Sequence, residues 1–222
     1  PHRKEPGPPM TAPGKKPAHR PDGSHLPLDP VYWERAAARD PAQLCALTLF
    51  AQPGPGLLEF PFLGAPVRLD LTARRLLQLG PDGCAPLHDP LPELAATVYL
   101  GGVRRIYPLG RDLVGIRDLK EGHFFSGPHA LRLEPLLDRF GADRAGFLRA
   151  AASLGGEAVP LADAACRLHP FPRAPLTYLL WEADAEFPAR VQVLLDRPLE
   201  EALPADALWA LINRVTAALA AA

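Results

Sequence analysis

The sequence predicts an α+β fold, a single domain in which several helices pack with small antiparallel sheets. The first indication is the order of segments, which runs helices, strands, helices, strands and a final helix rather than in repeated strand–helix–strand units. The second is a pair of apolar segments, 175–182 and 189–196, separated by only six residues, which favours an antiparallel hairpin. Hydrophobic residues make up 48% of the chain and charged residues 22%, a composition that allows a packed core.

The first 25 residues differ from the rest in composition. They are rich in Pro, nearly free of large apolar side chains, and carry a net charge of +3 against −1 for the whole chain. Such a segment buries too little surface to offset its chain entropy, so we expect a disordered tail at 1–25 and a folded domain over 26–222. Met10 is the only Met of the chain. Whether residues 1–9 are native, and what the tail does, stay open.

Three Asp-Pro pairs mark the starts of helices in the N-terminal half. An Asp side chain caps free backbone N–H groups, and a Pro in the first helical turn has no N–H to lose. The pairs are Asp29-Pro30, Asp40-Pro41 and Asp89-Pro90, and the predicted helices cover about 30–39, 41–47 and 92–100.

Between the second and third of these helices the pattern changes to that of strands. Apolar residues alternate over 58–62, the period of a half-buried strand. Pro61 lacks a backbone donor, which confines this strand to an edge or a bulge. With segments 67–71 and 75–79, and a turn at 81–83, the region predicts a three-stranded meander.

The C-terminal half adds three helices to the hairpin. Helices over about 129–140 and 143–154 each stop at Gly, and an amphipathic helix covers 205–220. Segments 111–117 and 166–168 have the character of short strands.

Composition and charge exclude several classes of function. The net charge of −1 argues against a general nucleic-acid binder, and no run of about 18 uncharged apolar residues is present to span a membrane. The three cysteines form no CxxC pair and match no metal or cluster spacing, so no metal site is predicted. An odd number of cysteines without a signal peptide indicates reduced thiols and a cytoplasmic protein.

The common hydrolase and phosphate-binding motifs are also missing. No Ser lies in G-x-S-x-G, and the chain has no P-loop, no dinucleotide-binding glycine motif and no H-E-x-x-H. Cys166 and His169 suggest a thiol nucleophile, but residues three apart on a strand point to opposite faces, which favours a buried structural Cys. The arginine pairs at 74–75 and 104–105 are interpreted as solvated surface charges.

The segment 122–129 concentrates groups that bind ligands in other proteins. His123 and His129 flank Phe124, Phe125 and a Gly-Pro turn. Neutral imidazole binds metals and haem iron, and aromatic rings stack on planar cofactors. The alternative is structural: His129 begins the next helix while the two Phe side chains fill the core.

A second dense segment lies at 169–175, where three prolines fix an extended backbone around Arg173. A guanidinium held in this way can receive a carboxylate or phosphate in a bidentate manner. His169 opens the segment, and Trp181 follows on the next strand. The alternative for the guanidinium is an internal salt bridge with one of three acidic residues: Asp184, Glu186 or Asp196.

Asp184 and Glu186 allow a further hypothesis. On a strand, carboxylates two residues apart share a face and could serve as acid and base of a hydrolase or transferase. In a hairpin loop the same residues are solvated charges of a turn. The choice stays open, and so does the question of whether the protein is an enzyme.

Several short motifs resemble a known family. The stretch F-P-R-x-P around Arg173, then Trp181, D-x-E-F-P and L-L-D look like the C-terminal signature of the bacterial and archaeal domain-of-unknown-function family 3786. Helix ends with Y-L-G-G, F-G and L-G-G are similar as well, and the resemblance covers about 28–220. Ala185 departs from the acidic residue expected at its position.

The resemblance implies little about chemistry, because the family has no established activity. Some relatives carry an added iron–sulfur cluster domain, which implies an accessory role in anaerobic redox, tetrapyrrole or corrinoid metabolism. This chain lacks the cysteine motif of such a cluster.

These observations predict a cytoplasmic module that binds a cofactor or an anionic small molecule, with a tetrapyrrole or corrinoid as the boldest version. The alternatives are a protein–protein adaptor in a redox complex without its own ligand, and an acid–base hydrolase or transferase. The identity of the cofactor stays unknown. The predicted ligand-binding residues are His123, His129, His169, Arg173, Trp181, Asp184 and Glu186.

Overall fold

The computed structural model describes residues 28–222, so the predicted tail at 1–25 and the predicted domain start at 26 lie outside the described residues. Over the described part the fold is α+β, which confirms the predicted class. Six α-helices pack with two five-stranded antiparallel sheets there.

The first sheet is a meander in chain order. Residues at alternate positions of its second strand, such as Leu58 and Phe60, point into the core as the pattern predicted. The sequence predicted only three of these five strands. The two outer strands were not predicted because they are exposed along nearly their whole length and show no apolar alternation. The strands are β1 (Ala51–Gly54), β2 (Leu57–Phe62), β3 (Ala65–Asp70), β4 (Arg75–Gly80) and β5 (Gly83–Pro86).

Pro61 occupies a local edge within this sheet. The pairing of β1 with β2 reaches only as far as Glu59, so Pro61 pairs with Pro66 of β3 on one side alone. A residue without a backbone donor is tolerated at such a position. The sequence-based restriction of Pro61 to an edge is therefore confirmed.

The second sheet contains the predicted C-terminal hairpin. Its strands are β6 (Leu113–Gly115), β7 (Glu157–Ala158), β8 (Ala164–Phe171), β9 (Ala174–Trp181) and β10 (Arg190–Asp196), in the spatial order β6-β10-β9-β8-β7. β9 and β10 pair antiparallel from Leu176 with Leu195 to Trp181 with Arg190, which confirms the hairpin. A two-residue turn of Pro172 and Arg173 joins β8 to β9, where Phe171 pairs with Ala174.

The three Asp-Pro helices begin where their capping residues predicted. The helices of the described chain are α1 (Pro30–Ala37), α2 (Pro41–Thr48), α3 (Pro90–Gly102), α4 (Glu134–Phe140), α5 (Arg144–Ser153) and α6 (Ala205–Ala221). Asp29 accepts a hydrogen bond from the Val31 amide at 2.9 Å, and Asp40 and Asp89 cap the next two Asp-Pro helices in the same manner.

One predicted helix boundary is wrong. The helix expected from residue 129 begins at Glu134, and His129 ends a short 3-10 turn over Gly127–His129 instead. Pro135 explains the difference, because a Pro without a backbone donor is accepted in the first turn of a helix but breaks its interior. His129 therefore does not begin the helix.

One hydrophobic core joins both sheets and all the helices. At its centre Phe171 of β8 stacks on Tyr99 of α3, with ring centroids 5.2 Å apart and planes 5° apart, and also meets Phe60 of the first sheet at 5.5 Å. Elsewhere in this core, the Tyr178 hydroxyl of β9 lies 3.1 Å from the Ile212 carbonyl of α6. These contacts hold α3 and α6 in the positions that form the cleft described next.

Candidate functional site

A cleft with a volume of about 750 Å³ lies beside the end of α3. Its walls are α1, the last turn of α3, the segment around residues 121–124, and the start of α6 with the residues that precede it. Small-molecule sites commonly measure about 300–1,000 Å³, so the cleft has the size of a ligand site.

The loop that carries the histidines of the sequence prediction forms one wall of this cleft. His123 and Phe124 line it, within a 3-10 turn over Gly122–Phe124. Gly122 allows the tight path, because a Cβ there would collide with the Arg117 carbonyl. His123 is exposed to solvent, and Tyr32 of α1 adds another aromatic ring to the lining.

The cleft also contains acidic residues, and these are engaged within the protein. Glu201 forms a bidentate pair with Arg105, with N–O distances of 2.8 and 3.3 Å. This pairing lowers the pKa of Glu201 and keeps the carboxylate charged. The other acidic lining residues accept hydrogen bonds from backbone amides: Glu121 from Ala205, Glu200 from Lys120, and Asp206 from Ala207.

The two arginines of the cleft have no carboxylate partner among residues 28–222. Arg35, on the last turn of α1, is exposed and makes no ion pair or side-chain hydrogen bond there. Arg104 donates only to backbone carbonyls, to Gly101 at 2.7 Å and to Val103 at 3.1 Å. The lining therefore offers two guanidinium groups to a ligand, whereas its carboxylates already accept hydrogen bonds.

A third arginine adds positive charge behind the cleft. Arg39 donates to the Leu100 carbonyl at 3.2 Å and the Val103 carbonyl at 2.8 Å. Burial, and then the nearby charge of Arg104, lower the pKa of Arg39. Positive charges are favourable at the C-terminus of a helix. Arg39 and Arg104 donate to the free carbonyls at the end of α3, and no carboxylate of the described chain neutralises their charge.

The predicted site residues are not brought together. His129 is exposed beside the cleft, where its ring stacks on Phe124 at 4.4 Å without lining the cavity. Arg173 precedes β9 and Trp181 ends it, so the two lie at opposite ends of the strand, about 26 Å apart at about 3.3 Å per residue. One small ligand cannot contact both. The ring of Trp181 is covered by the Arg190 guanidinium at 4.0 Å.

The internal salt bridge considered for Arg173 does not form within the described chain. Asp184 accepts from the amides of its own loop, and Asp196 accepts from the Gly110 amide at 2.6 Å. Glu186 is exposed in the loop between β9 and β10, at the end of β9 far from Arg173. The Nε atom of Arg173 is buried and has no hydrogen-bond partner there.

Asp184 and Glu186 lie in an exposed turn rather than on a shared strand face. Asp184 accepts hydrogen bonds from the amides of Glu186 and Phe187 at 2.8 and 2.7 Å. These bonds lower the pKa of Asp184, the opposite of what a general acid requires. The two carboxylates therefore match the solvated-turn interpretation.

Cys166 and His169 occupy opposite faces of β8. Cys166 is fully buried, whereas His169 is partly exposed. Burial raises the pKa of the Cys166 thiol to about 12, so the reactive thiolate is suppressed. This is the environment of a structural cysteine.

Sequence reasoning missed the cationic part of the cleft. The pair 104–105 is exposed, as predicted, but the capping of α3 by Arg104 and the pairing of Arg105 with Glu201 were not predicted. One signal was available for Arg104, because it follows a helix stop at Gly101-Gly102, where basic side chains bind the last carbonyls. No sequence signal separates Arg35 from other surface arginines, since only the packing of α1 on α3 brings it to the cleft.

Over residues 28–222, no group of three or more His, Cys, Asp or Glu side chains is arranged to hold a metal ion. Within the same range, none of the helices combines the length and the apolar character that a membrane span requires.

The fold and the cleft define an α+β domain with an arginine-bearing polar cavity. The sequence matches the profile of a family described as Domain of unknown function (DUF3786) over residues 40–218, and the chain belongs to that family. No curated protein and no solved structure matches the chain.

Proposed function

We propose that this protein is a binding module for an anionic small molecule or cofactor, and that the ligand occupies the cleft between α1, α3 and α6. One observation carries the proposal: the carboxylates of the cleft accept hydrogen bonds from the protein, while Arg35 and Arg104 have no carboxylate partner in the described chain. A carboxylate or phosphate group of the ligand supplies that partner, in the bidentate manner typical of guanidinium groups.

The aromatic residues that line the cleft provide contacts for the part of such a ligand that is not anionic. Tyr32 and Phe124 line the cleft and supply aromatic contacts for a planar or partly apolar body, and His123 supplies a nitrogen that accepts or donates a hydrogen bond. For a tetrapyrrole, His123 is the residue placed to provide an axial nitrogen, with Arg35 for an acidic side chain. The family resemblance implies an accessory role in anaerobic redox metabolism, and we include that role in the proposal.

The cellular location is also part of the proposal. Cys45, Cys84 and Cys166 are all free thiols, as expected in a reducing compartment such as the cytoplasm.

The cleft favours a ligand-binding role over the adaptor alternative. An adaptor requires a contiguous apolar patch of several hundred Å². The large apolar side chains exposed in the described chain come instead from five segments, of which one contains both Ile106 and Leu109: Val31, Leu49, Ile106, Leu109, Leu161 and Phe187.

A ligand panel with matched variants tests the proposal. Hemin, cobalamin, citrate and pyrophosphate are titrated against the purified protein, with absorbance read for the first two and heat of binding for the others. We expect saturable binding of at least one ligand, weakened about tenfold by Arg35→Gln, which corresponds to about 1.4 kcal/mol. For hemin or cobalamin, His123→Ala should remove the band shift.

Arg111→Gln is the matched control. Arg111 is exposed, makes no ion pair in the described chain and does not line the cleft. Binding that Arg111→Gln and Arg35→Gln weaken equally would be general charge attraction, and it would count against the proposed site.

A further inference from the structure

A second polar site lies beneath the last turn of α3. Three buried side-chain atoms there have no hydrogen-bond partner in the described chain: the hydroxyls of Tyr99 and Tyr107 and Nε of Arg173. Tyr99 is completely buried and Tyr107 is 4% exposed. Buried polar atoms are nearly always paired, since leaving one unpaired is costly, so a cluster of three calls for a missing partner.

The chain brings the three groups to one place. Tyr99 stacks on Phe171 with ring centroids 5.2 Å apart, and Arg173 follows Phe171 by two residues in the tight turn before β9. Tyr107 comes five residues after the end of α3. Burial raises the pKa of its hydroxyl most, and the backbone of Arg104 lowers it. Tyr99 in turn interacts electrostatically with both Tyr107 and Arg173.

This cluster is separate from the cleft. The cleft is lined by Thr97, Val98, Gly101 and Gly102 of α3, and Tyr99 is not among its lining residues. Arg173 does not line the cleft either. The two sites therefore have different lining residues and can be tested independently.

The groups of the cluster are hydrogen-bond donors. Burial raises the pKa of Tyr99 well above its ordinary value, so its hydroxyl keeps its proton across the physiological range. Arg173 is a permanent cation without a carboxylate partner in the described chain, and a guanidinium only donates. A water molecule would leave the positive charge of Arg173 without a counter-charge. An anion supplies that counter-charge and also accepts hydrogen bonds from the donors of the cluster.

We propose that Tyr99, Tyr107 and Arg173 form a site for a small oxyanion, a carboxylate or phosphate group, which enters beside the partly buried Arg173. The site is independent of the cleft ligand.

Thermal unfolding in rising concentrations of sodium phosphate or sodium acetate, at constant ionic strength, tests this site. The wild type should show a saturable rise in Tm with at least one of the two anions. Tyr99→Phe and Arg173→Gln should each weaken the apparent affinity about tenfold or more. Tyr32→Phe, a tyrosine variant in the cleft, and Arg35→Gln should keep the response, which separates this site from the cleft.

Two results would overturn the proposal. One is a Tm that responds equally in wild type and Tyr99→Phe, which indicates general salt stabilisation. The other is a lower Tm for Tyr99→Phe in anion-free buffer, because an unpaired hydroxyl should be neutral or favourable to remove. In crystals grown with selenate, an anomalous peak within hydrogen-bond distance of the Tyr99 hydroxyl and Arg173 supports the site, and an ordered water there contradicts it.

Discussion

Arg39 and Arg104 donate to the same acceptor, the backbone carbonyl of Val103, at 2.8 and 3.1 Å. Two guanidinium groups on one carbonyl repel each other, and the charge of Arg104 contributes to the lowered pKa of Arg39. No carboxylate of the described chain relieves this repulsion. Because a bound anion would relieve it, this arrangement supports an anionic ligand in the adjoining cleft.

Arg39→Met should destabilise the fold. The substitution keeps most of the apolar stem but removes the donor that binds the Leu100 and Val103 carbonyls at the end of α3. We expect a loss of about 1–2 kcal/mol in the free energy of unfolding, measured by urea denaturation. Arg111→Met is the control and should change stability by less than about 0.5 kcal/mol. Equal effects of both variants would show that the cap contributes nothing.

Tyr178→Phe should also destabilise, in contrast to Tyr99→Phe. The Tyr178 hydroxyl lies 3.1 Å from both the Ile212 carbonyl and the Thr216 hydroxyl, and all of these groups are buried. Removing it costs about 1–2 kcal/mol in the free energy of unfolding, because Thr216 loses its partner. Calorimetric unfolding of both Phe variants in anion-free buffer gives the comparison. A neutral Tyr178→Phe would mean that these bonds add no net stability.

Adjacent glycines at the end of α3 should respond differently to alanine. A Cβ at Gly102 would lie 2.5 Å from the Ala202 carbonyl oxygen, a backbone atom that cannot move aside cheaply. At Gly101 the nearest atom is the Arg35 Cβ at 3.4 Å, an ordinary contact. We expect Gly102→Ala to cost about 1–3 kcal/mol and Gly101→Ala to be neutral or slightly stabilising in thermal unfolding. The reverse order would contradict the packing of α3 on the segment before α6.

Alkylation should distinguish the exposed from the buried cysteine. Cys84 is exposed, whereas burial raises the pKa of the Cys166 thiol to about 12. At pH 8, iodoacetamide should therefore modify Cys84 first and leave Cys166 intact until the protein unfolds, as read by peptide mass spectrometry. Because the folded thiol holds its proton more tightly than the unfolded one, Cys166 also makes stability fall as the pH rises above about 9. Rapid modification of Cys166 in the folded protein would support the hypothesis that its thiol is a nucleophile.

Most elements of the fold could be predicted from local sequence patterns. Asp-Pro pairs, apolar alternation and the short 183–188 connection predicted α1 to α3, the meander and the hairpin, because each depends on nearby residues. The signals failed where they were weak or conflicting. β1 and β5 are exposed and show no apolar alternation, and α4 begins at Glu134 rather than at 129 because Pro135 must lie in its first turn.

The candidate site could be predicted only in part. His123 and Phe124 do line the cleft, since their chemistry is visible in the sequence. Arg173 and Trp181 were grouped by their closeness in the chain, but an extended strand separates them. Arg35 and Arg104 come together through the packing of α1 on α3, and no local pattern encodes that contact.

The most direct measurement is the native mass of protein purified from its own host without oxygen. Wild type, Arg111→Gln and Arg35→Gln are prepared in parallel, and the released small molecules are identified by mass. We predict one acidic small molecule bound to the wild type and to Arg111→Gln, with occupancy reduced about tenfold in Arg35→Gln. A wild type that carries no acidic molecule, or equal occupancy in Arg35→Gln, would contradict the assignment of the cleft as an anion-binding site.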